Sequence, residues 1–466
     1  MRVIIIGAGK VGYEIAAVLS KDLYDVIVID NDINVIKKVS DTLDVLTIES
    51  NGLIGEPFKR IDVNQDDLVI AVTDNDERNI LACLSAKHLG AGQTIARIRN
   101  PDYERDLALP KEILEIDYII NPEKSSAEQI VKLLKFSPAG SINEFVGGRV
   151  QMIQLHIDEN SPLHNLKLRE QKQLKGFLVG AIIRDDETII PKGDHRIMSG
   201  DTIFIIGKQE EITKYFKTLG KTPVNMKNVM ILGGGRFSYY LAETLNKMEI
   251  STKIIEKDLK RCEFLSKNLA NTLIIHGDGT DLNLLQSEGI SNTDAFVSMS
   301  GLDEENILAT LLAKKNGVKK GIAKVNRENY IDLAKNIGVD SIITPSSIIT
   351  NEILGFVRGE WVLSLSILPG GQAEVIEYQI KKDSPIINIL LKDLKLPKNT
   401  IITTIVRDKE VIIPHGNDEI KVNDRIVVIS KAEEVANVRK MIQTKGEISG
   451  YGIWNSIKNA GSTIIG

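Results

Sequence analysis

The chain has 466 residues, too many for one core, and its 42% hydrophobic and 26% charged composition excludes disordered and fibrous classes. A net charge of −5 provides no general attraction to nucleic acid or anionic lipid. No apolar run approaches the roughly 18 residues of a membrane-spanning helix, and the first predicted strand begins too close to Met1 for a signal peptide. We therefore expect a cytoplasmic protein.

Buried-looking strands alternate with helix-length segments in the first part of the chain. Strands are predicted at residues 3–6, 26–29, 45–48, 68–72, 94–98 and 118–120. This βαβ rhythm is typical of a doubly wound, Rossmann-like parallel sheet, so we expect an α/β fold. A capping box at residues 125–128 predicts the start of a helix that leads out of this domain.

A glycine-rich turn follows the first strand, and an acid, Asp30, ends the second. The turn consists of Gly7, Ala8, Gly9, Lys10, Val11 and Gly12. In a dinucleotide-binding turn, the first glycine allows the tight bend, the second lets the backbone approach pyrophosphate, and the third lets the helix pack closely. Asp30 would accept ribose hydroxyls and repel a 2′-phosphate, which favours NAD or an adenine nucleotide over NADP. Packing alone can also produce such turns, but the order of strand, turn, helix and acid favours binding.

The same pattern returns 226 residues later, so the chain is a tandem repeat. The second turn contains Gly233, Gly234, Gly235, Arg236 and Phe237. Glu256 stands where Asp30 stands in the first copy. Ser238 replaces the third glycine and adds bulk where helix meets sheet, which leaves open a different affinity or ligand for the second site.

Polar residues also mark the carboxyl edge of each predicted sheet, where open α/β folds bind ligands. Thr73 and Asp74 follow the fourth strand, and Arg97 and Lys324 occupy matched positions in otherwise apolar strands. An unpaired buried cation is costly. Each cation therefore either reaches phosphate across the cleft or pairs with a structural acid, and the sequence leaves both open.

Each copy ends in short strands separated by turns, typical of a small α+β domain. The predicted domains span residues 1–124 and 226–347 for the nucleotide-binding type, and 140–220 and 366–446 for the small type. None of the six histidines has a histidine at the matched position, and no metal-ligand spacing or nucleophile elbow occurs. We predict no catalytic or metal-binding residue, and we read Cys83 and Cys262 as buried free thiols.

The repeated order of residues 7–12, Asp30, residues 71–73 with Glu77 and Asn79, and residues 95–99 resembles the TrkA family of peripheral subunits of Trk potassium uptake systems. The resemblance covers residues 1–445. Members consist of RCK (or KTN) domains, each with a Rossmann-like lobe and a small TrkA-C lobe. The tail from Gly446 is not explained by the family, and we expect it to be frayed.

The resemblance implies binding of NAD(H), and often of ATP or ADP, at the Rossmann-like lobes. It also implies a homotetrameric ring that docks on the cytoplasmic face of a TrkH- or TrkG-type membrane subunit. By matched position, nucleotide contacts would fall on residues 7–11, Asp30, Thr73, Asp74 and Arg97, and in the second copy on residues 233–237 and Glu256. A nucleotide-sensing regulator is the resulting hypothesis; an NAD-dependent oxidoreductase and a scaffold with degenerate sites are the alternatives.

Overall fold

The structure is a computed structural model that describes residues 2–22, 24–52, 55–100, 103, 115–135, 141–170, 176–218, 226–359 and 361–443. The predicted frayed tail from Gly446 lies outside these residues. Within them, both cysteines are buried free thiols, as predicted. No helix of the described ranges is long and apolar enough to cross a bilayer.

The first nucleotide lobe is a six-stranded sheet of order β3-β2-β1-β4-β5-β6 in which every neighbouring pair is parallel. This confirms the predicted doubly wound fold. Its strands are β1 (Arg2–Ile6), β2 (Asp25–Asp30), β3 (Leu46–Glu49), β4 (Leu68–Ala71), β5 (Gln93–Arg97) and β6 (Tyr118–Ile120). Its helices are α1 (Lys10–Lys21), α2 (Ile33–Thr42), α3 (Glu56–Arg60) and α4 (Asp76–His88).

A crossover helix, α5 (Pro122–Lys135), leads into the first small lobe. Its predicted start at residues 125–128 is wrong. The Asn121 side chain accepts the backbone N–H groups of Glu123 and Lys124, both at 3.1 Å, and proline occupies the first turn. Because proline needs no N–H partner there and Asn121 caps the free donors, the helix begins one turn earlier.

The first small lobe is an antiparallel sheet of order β10-β9-β11-β8-β7, followed by one helix. Its elements are β7 (Ile142–Phe145), β8 (Val150–His156), β9 (Phe177–Arg184), β10 (Glu187–Ile189), β11 (Thr202–Lys208) and α6 (Gln209–Thr218).

The second half repeats this plan, with a parallel sheet of order β14-β13-β12-β15-β16-β17. Its nucleotide lobe contains β12 (Asn228–Leu232), α7 (Arg236–Lys247), β13 (Ser251–Glu256), α8 (Leu259–Asn268), β14 (Thr272–His276), α9 (Leu282–Ser287), β15 (Ala295–Ser298), α10 (Asp303–Lys315), β16 (Lys320–Lys324), α11 (Asn329–Asn336) and β17 (Ser341–Ile343). A second crossover helix, α12 (Pro345–Val357), precedes the second small lobe: β18 (Val362–Ile367), β19 (Ala373–Gln379), β20 (Thr400–Arg407), β21 (Glu410–Ile412), β22 (Arg425–Lys431) and α13 (Val435–Ile442).

The two halves exchange their crossover helices. α12 packs on α1 of the first nucleotide lobe, and α5 packs on α7 of the second. One buried apolar cluster accordingly joins Ile5 of the first nucleotide lobe to Ile353 of α12 and Val428 of the second small lobe. A second cluster joins the other nucleotide lobe, α5 and the first small lobe. Each small lobe therefore shares its core with the nucleotide lobe of the opposite half.

The two small lobes pack sheet against sheet. Phe204 and Ile206 of the first lobe share a buried cluster with Val375 and Ile429 of the second. A Cβ at Gly180 would lie 2.3 Å from Ile429 Cδ1, so only glycine allows this approach. The four lobes thus form one connected body around the exchanged helices.

Candidate nucleotide-binding sites

The first glycine turn has the geometry that its sequence predicts. Gly7 adopts φ +94°, and a Cβ there would lie 2.9 Å from the Thr73 nitrogen. A Cβ at Gly12 would lie 1.9 Å from the Gly7 carbonyl oxygen, so the third glycine lets α1 start against the turn. Gly9, in contrast, faces open space, with nothing within 4 Å of a Cβ. Its missing side chain leaves room on the side where a ligand can approach.

Asp30 holds this turn in place. Its Oδ2 accepts the Ala8 backbone N–H at 2.6 Å, and its Oδ1 accepts the Asp32 N–H at 2.9 Å. Gly9 caps α1 without a side-chain hydrogen bond, and Lys10 is exposed at the first helical position. A helix N-terminus with free N–H groups and partial positive charge attracts phosphate. The carboxylate and the helix start are therefore held side by side.

A small pocket opens between the ends of β1, β2 and β4. Its lining includes Gly7, Asp30, Ser50, Gly52, Thr73 and Arg78. Ser50, Gly52 and Arg78 were missed by the sequence reasoning. The matched position of Arg78 holds Glu305, so the repeat itself concealed the arginine. The signal that could have found it is a cation in the first turn of the helix that follows the fourth strand.

Asn79 ties the edge of the sheet together and has no exposed surface. Its Oδ1 accepts the Thr73 N–H at 2.9 Å and the Thr73 hydroxyl at 2.7 Å, and its Nδ2 donates to the Arg97 carbonyl at 2.8 Å. In the second lobe, Asn306 makes the same connections to Ser300 and Lys324. The predicted residues Thr73 and Arg97 are thus brought together by an asparagine whose repetition was visible but whose role was not.

Arg97 lies half-buried beside the first site. It donates to the Thr73 carbonyl at 3.2 Å, while its Nε is buried with no hydrogen-bond partner in the described part of the chain. Burial, and secondarily Arg99, lowers the pKa of Arg97. Asp74 is exposed next to it, and its carbonyl oxygen accepts from Arg99. Of the two alternatives for Arg97, the structure supplies no carboxylate within 4.0 Å among the residues described.

The second glycine turn repeats the first despite its serine. Gly233 adopts φ +89°, and Gly234 donates its N–H to Glu256 Oε2 at 2.5 Å. Gly235 caps α7 without a side-chain bond. Ser238 is completely buried, and its hydroxyl donates to the Gly233 carbonyl. The extra bulk is therefore absorbed as a hydrogen bond inside the turn.

Cations surround this second turn differently. The Arg261 Nε donates to the Gly234 carbonyl at 2.6 Å, and its guanidinium lies 4.6 Å from the Phe264 ring centre. Lys324 is 8% exposed and places its Nζ 5.0 Å from the Phe237 ring centre. Burial lowers the pKa of Lys324, while Asp303 opposes this. Arg261 was missed because its match in the first copy is the apolar Val35.

The two sites face each other across the exchanged helices. Lys10 Nζ donates to the Asn326 carbonyl just beyond β16, so the first turn touches the second nucleotide lobe. In the reverse direction, the Asn121 side chain donates to the Tyr240 hydroxyl at 2.8 Å. The structure therefore places each phosphate turn at the boundary with the opposite lobe.

Solved structures of similar fold support the assignment of class. A structure titled "GsuK channel bound to NAD" matches with a TM-score of 0.56 at 14% identity, over 94% of this chain and 78% of that one. The crystal structure of the GsuK RCK domain matches equally well, over 94% of both chains. At this identity the likeness concerns the fold alone. The fold defines a tandem protein of the RCK class.

Sequence comparison identifies the family. The TrkA-N domain matches residues 3–122 and 229–345, and the TrkA-C domain matches residues 152–220 and 375–443. The Trk system potassium uptake protein TrkA homolog 1 of Methanosarcina mazei is 36% identical, over 94% of this chain and 99% of that protein. TrkA of Halomonas elongata is 32% identical over 95% and 99%. The chain belongs to the TrkA family of Trk system potassium uptake proteins.

Proposed function

We propose that this protein is the nucleotide-sensing regulatory subunit of a Trk-type potassium uptake system. The doubled turn carries the proposal: in each half, a backbone N–H of the turn is bonded to the acid that ends the next strand, beside an open helix N-terminus. Free N–H groups at a helix start suit phosphate, and the acid suits ribose. Membership of the TrkA family supplies the link to potassium uptake.

The proposed ligands are NAD(H), with ATP or ADP as further ligands. Solved structures titled as GsuK bound to NAD and to ADP share the fold, which supports this choice. The contacts proposed for the first site are residues 7–11, Asp30, Thr73, Asp74 and Arg97; Arg78 is added from the pocket lining. Those of the second are residues 233–237 and Glu256, with Arg261 added. The lobe boundaries proposed remain 1–124, 140–220, 226–347 and 366–446.

In this proposal the protein works in the cytoplasm, as a homotetrameric ring on the inner face of the membrane, against a TrkH- or TrkG-type subunit. Nucleotide binding would shift the ring between two shapes that the membrane subunit senses. A ligand shifts such an equilibrium only by its differential affinity for the two states, about 5.5 kcal/mol for a full switch from 1:99 to 99:1. Because each chain offers two sites and a ring offers several chains, a modest preference at each site suffices.

The test combines binding and transport. Calorimetry of the full chain with NADH, ADP and ATP is compared among wild type, Asp30→Ala, Glu256→Ala and the double variant. Potassium uptake is measured in cells that depend on the same four proteins. Asp194→Ala, whose side chain is 75% exposed in the first small lobe, is the matched control. We expect each single variant to lose one binding event and the double variant to lose both, together with nucleotide control of uptake.

Two results would contradict the proposal. One is unchanged uptake in the double variant together with no nucleotide binding by wild type, which would favour a scaffold. The other is steady oxidation of NADH by the purified chain with a metabolite pool, which would favour an oxidoreductase.

A further inference from the structure

Arg358 joins three parts of the molecule at one point. It directly follows α12, is 3% exposed, and donates to Asp22 Oδ2 from Nε at 2.9 Å and from Nη2 at 2.6 Å. The same guanidinium donates from Nη2 to Glu374 Oε1 at 3.1 Å and also pairs with Oε2. Asp22 caps the C-terminus of α1, and Glu374 lies on β19. One cation therefore links the first nucleotide lobe, the exchanged helix and the second small lobe.

A second cation strengthens the same contact. Arg439 of α13 donates to the Tyr24 hydroxyl at 2.7 Å, and its guanidinium lies 5.6 Å from the centre of that ring. Removing one member of a buried ion network leaves an uncompensated charge, so such networks resist displacement. Hydrogen bonds also fix direction, which apolar contact does not. The first nucleotide lobe and the second small lobe are thus held in one defined orientation.

The equivalent contact in the other half is built from different residues. Met248, Lys135 and Gln151 stand at the positions that match Asp22, Arg358 and Glu374. Ile250 and Phe216 stand at those that match Tyr24 and Arg439. Lys135 is exposed, and Phe216, Met248 and Ile250 join the apolar cluster of that half. The repeat conserves the fold there but replaces directional ion pairs with apolar packing, which tolerates sliding.

The helix α1 connects this network to the first candidate site. It begins at Lys10 in the phosphate turn and ends beside Asp22, twelve residues and about 18 Å along one rigid helix. We infer that the Asp22–Arg358–Glu374 network transmits nucleotide occupancy of the first turn to the second small lobe, and that the second turn lacks an equal connection to the first small lobe. This inference rests on the proposed function, because it requires that the first turn binds a nucleotide.

Hydrogen exchange on the full chain tests the inference, with NADH, ADP and ATP as the probes. In wild type, a probe that protects residues 7–12 should also slow exchange in β19, residues 373–379, by about tenfold. The triple variant Asp22→Met, Arg358→Lys and Glu374→Gln gives the first contact the residues of the second. It should keep protection of residues 7–12 and lose most of the change in β19.

Matched variants separate transmission from damage. The reverse triple variant, Met248→Asp, Lys135→Arg and Gln151→Glu, should create a probe-dependent change in β8, residues 150–156, and the single variant Arg358→Lys covers the case in which the first triple variant does not fold. Protection of residues 7–12 without any change in β19 of wild type would overturn the inference and leave the proposed function intact. An unchanged β19 response in both Arg358 variants would overturn it as well. No protection of either glycine turn by any probe would overturn the proposed function, and the inference with it.

Discussion

The carboxylate of Asp30 accepts the backbone N–H of Ala8 at 2.6 Å, so the acid that suits a ribose also sets the shape of the phosphate turn. Glu256 repeats this with Gly234. An acid with this double role should be more sensitive to substitution than one that only meets a ligand. A hydrogen bond to a charged group contributes about 1.5–3 kcal/mol, or roughly 10- to 100-fold in affinity.

We therefore expect Asp30→Ala to weaken NADH or ADP binding at the first site by about 100-fold and Asp30→Asn by about tenfold, since asparagine keeps one acceptor. Calorimetry on full-length protein that carries Glu256→Ala isolates the first site. Asp32→Ala, which removes only the cap of α2, is the control. Equal affinities for Asp30→Ala and wild type would show that the acid serves the turn alone.

The third position of the two turns gives a paired prediction. A Cβ at Gly12 meets the Gly7 carbonyl oxygen at 1.9 Å, so Gly12→Ala should cost about 1–3 kcal/mol and abolish binding at the first site. Ser238→Gly loses one hydrogen bond but creates no clash, so its cost should stay near about 1 kcal/mol with the second site intact. Thermal unfolding and calorimetry measure both. A larger effect of Ser238→Gly than of Gly12→Ala would contradict the geometry.

Asn79 should matter more than its lack of ligand contact suggests. Asn79→Leu leaves the Thr73 N–H and the Arg97 carbonyl without their partner, at about 1–3 kcal/mol for each buried group. Asn75→Ala, which removes only the N-cap of α4, should cost about 1 kcal/mol. Denaturant unfolding gives the two values, and exchange of the Thr73 amide gives the local effect. Comparable losses in both variants would argue against a bridging role for Asn79.

Lys320 predicts a pH dependence. It is 1% exposed on β16, and burial lowers its pKa to about 8, while Asp340 opposes the shift. The unfolded chain, with an ordinary lysine pKa near about 10.4, binds more protons between those values, so stability should rise with pH through this window. Below pH 8 the full cost of about 3 kcal/mol applies.

Lys320→Met should therefore raise the Tm at pH 7, and the gain should shrink by pH 10. Thermal unfolding at several pH values measures this difference between variant and wild type. Lys315→Met, at an exposed position on α10, is the control and should show no such trend. A gain that is constant with pH would mean that Lys320 is neutral or already compensated in the folded protein.

Features set by near neighbours in the chain were predictable. The strand pattern, the turn at residues 7–12 and Asp30 all lie within 30 residues, and their spacing reflects the local geometry of one βαβ unit. The repeat then fixed the second copy by register. The start of α5 was misplaced because two capping signals lie one turn apart, and Asn121 with Pro122 prevails over residues 125–128.

Arg78 and Arg261 escaped prediction because neither has a counterpart of the same charge in the other copy, so the repeat gave no support to either. Asn79 was visible as a repeated residue, yet its hydrogen bonds reach the end of another strand. The meeting of Arg358 with Asp22 joins positions more than 300 residues apart. Periodicity and spacing carry no information about such pairs, because they are chosen by packing among already formed elements.

The sequence by itself determined two nucleotide-type lobes, two small lobes and two latched glycine turns, since each depends on backbone conformation and local periodicity. Only the tertiary structure decided that α12 packs on α1 and α5 on α7, so that each small lobe belongs to the opposite nucleotide lobe. The physical reason is that burial of apolar surface is non-directional: either crossover helix could cover either lobe, and side-chain fit and the ion pairs at Arg358 select the partner.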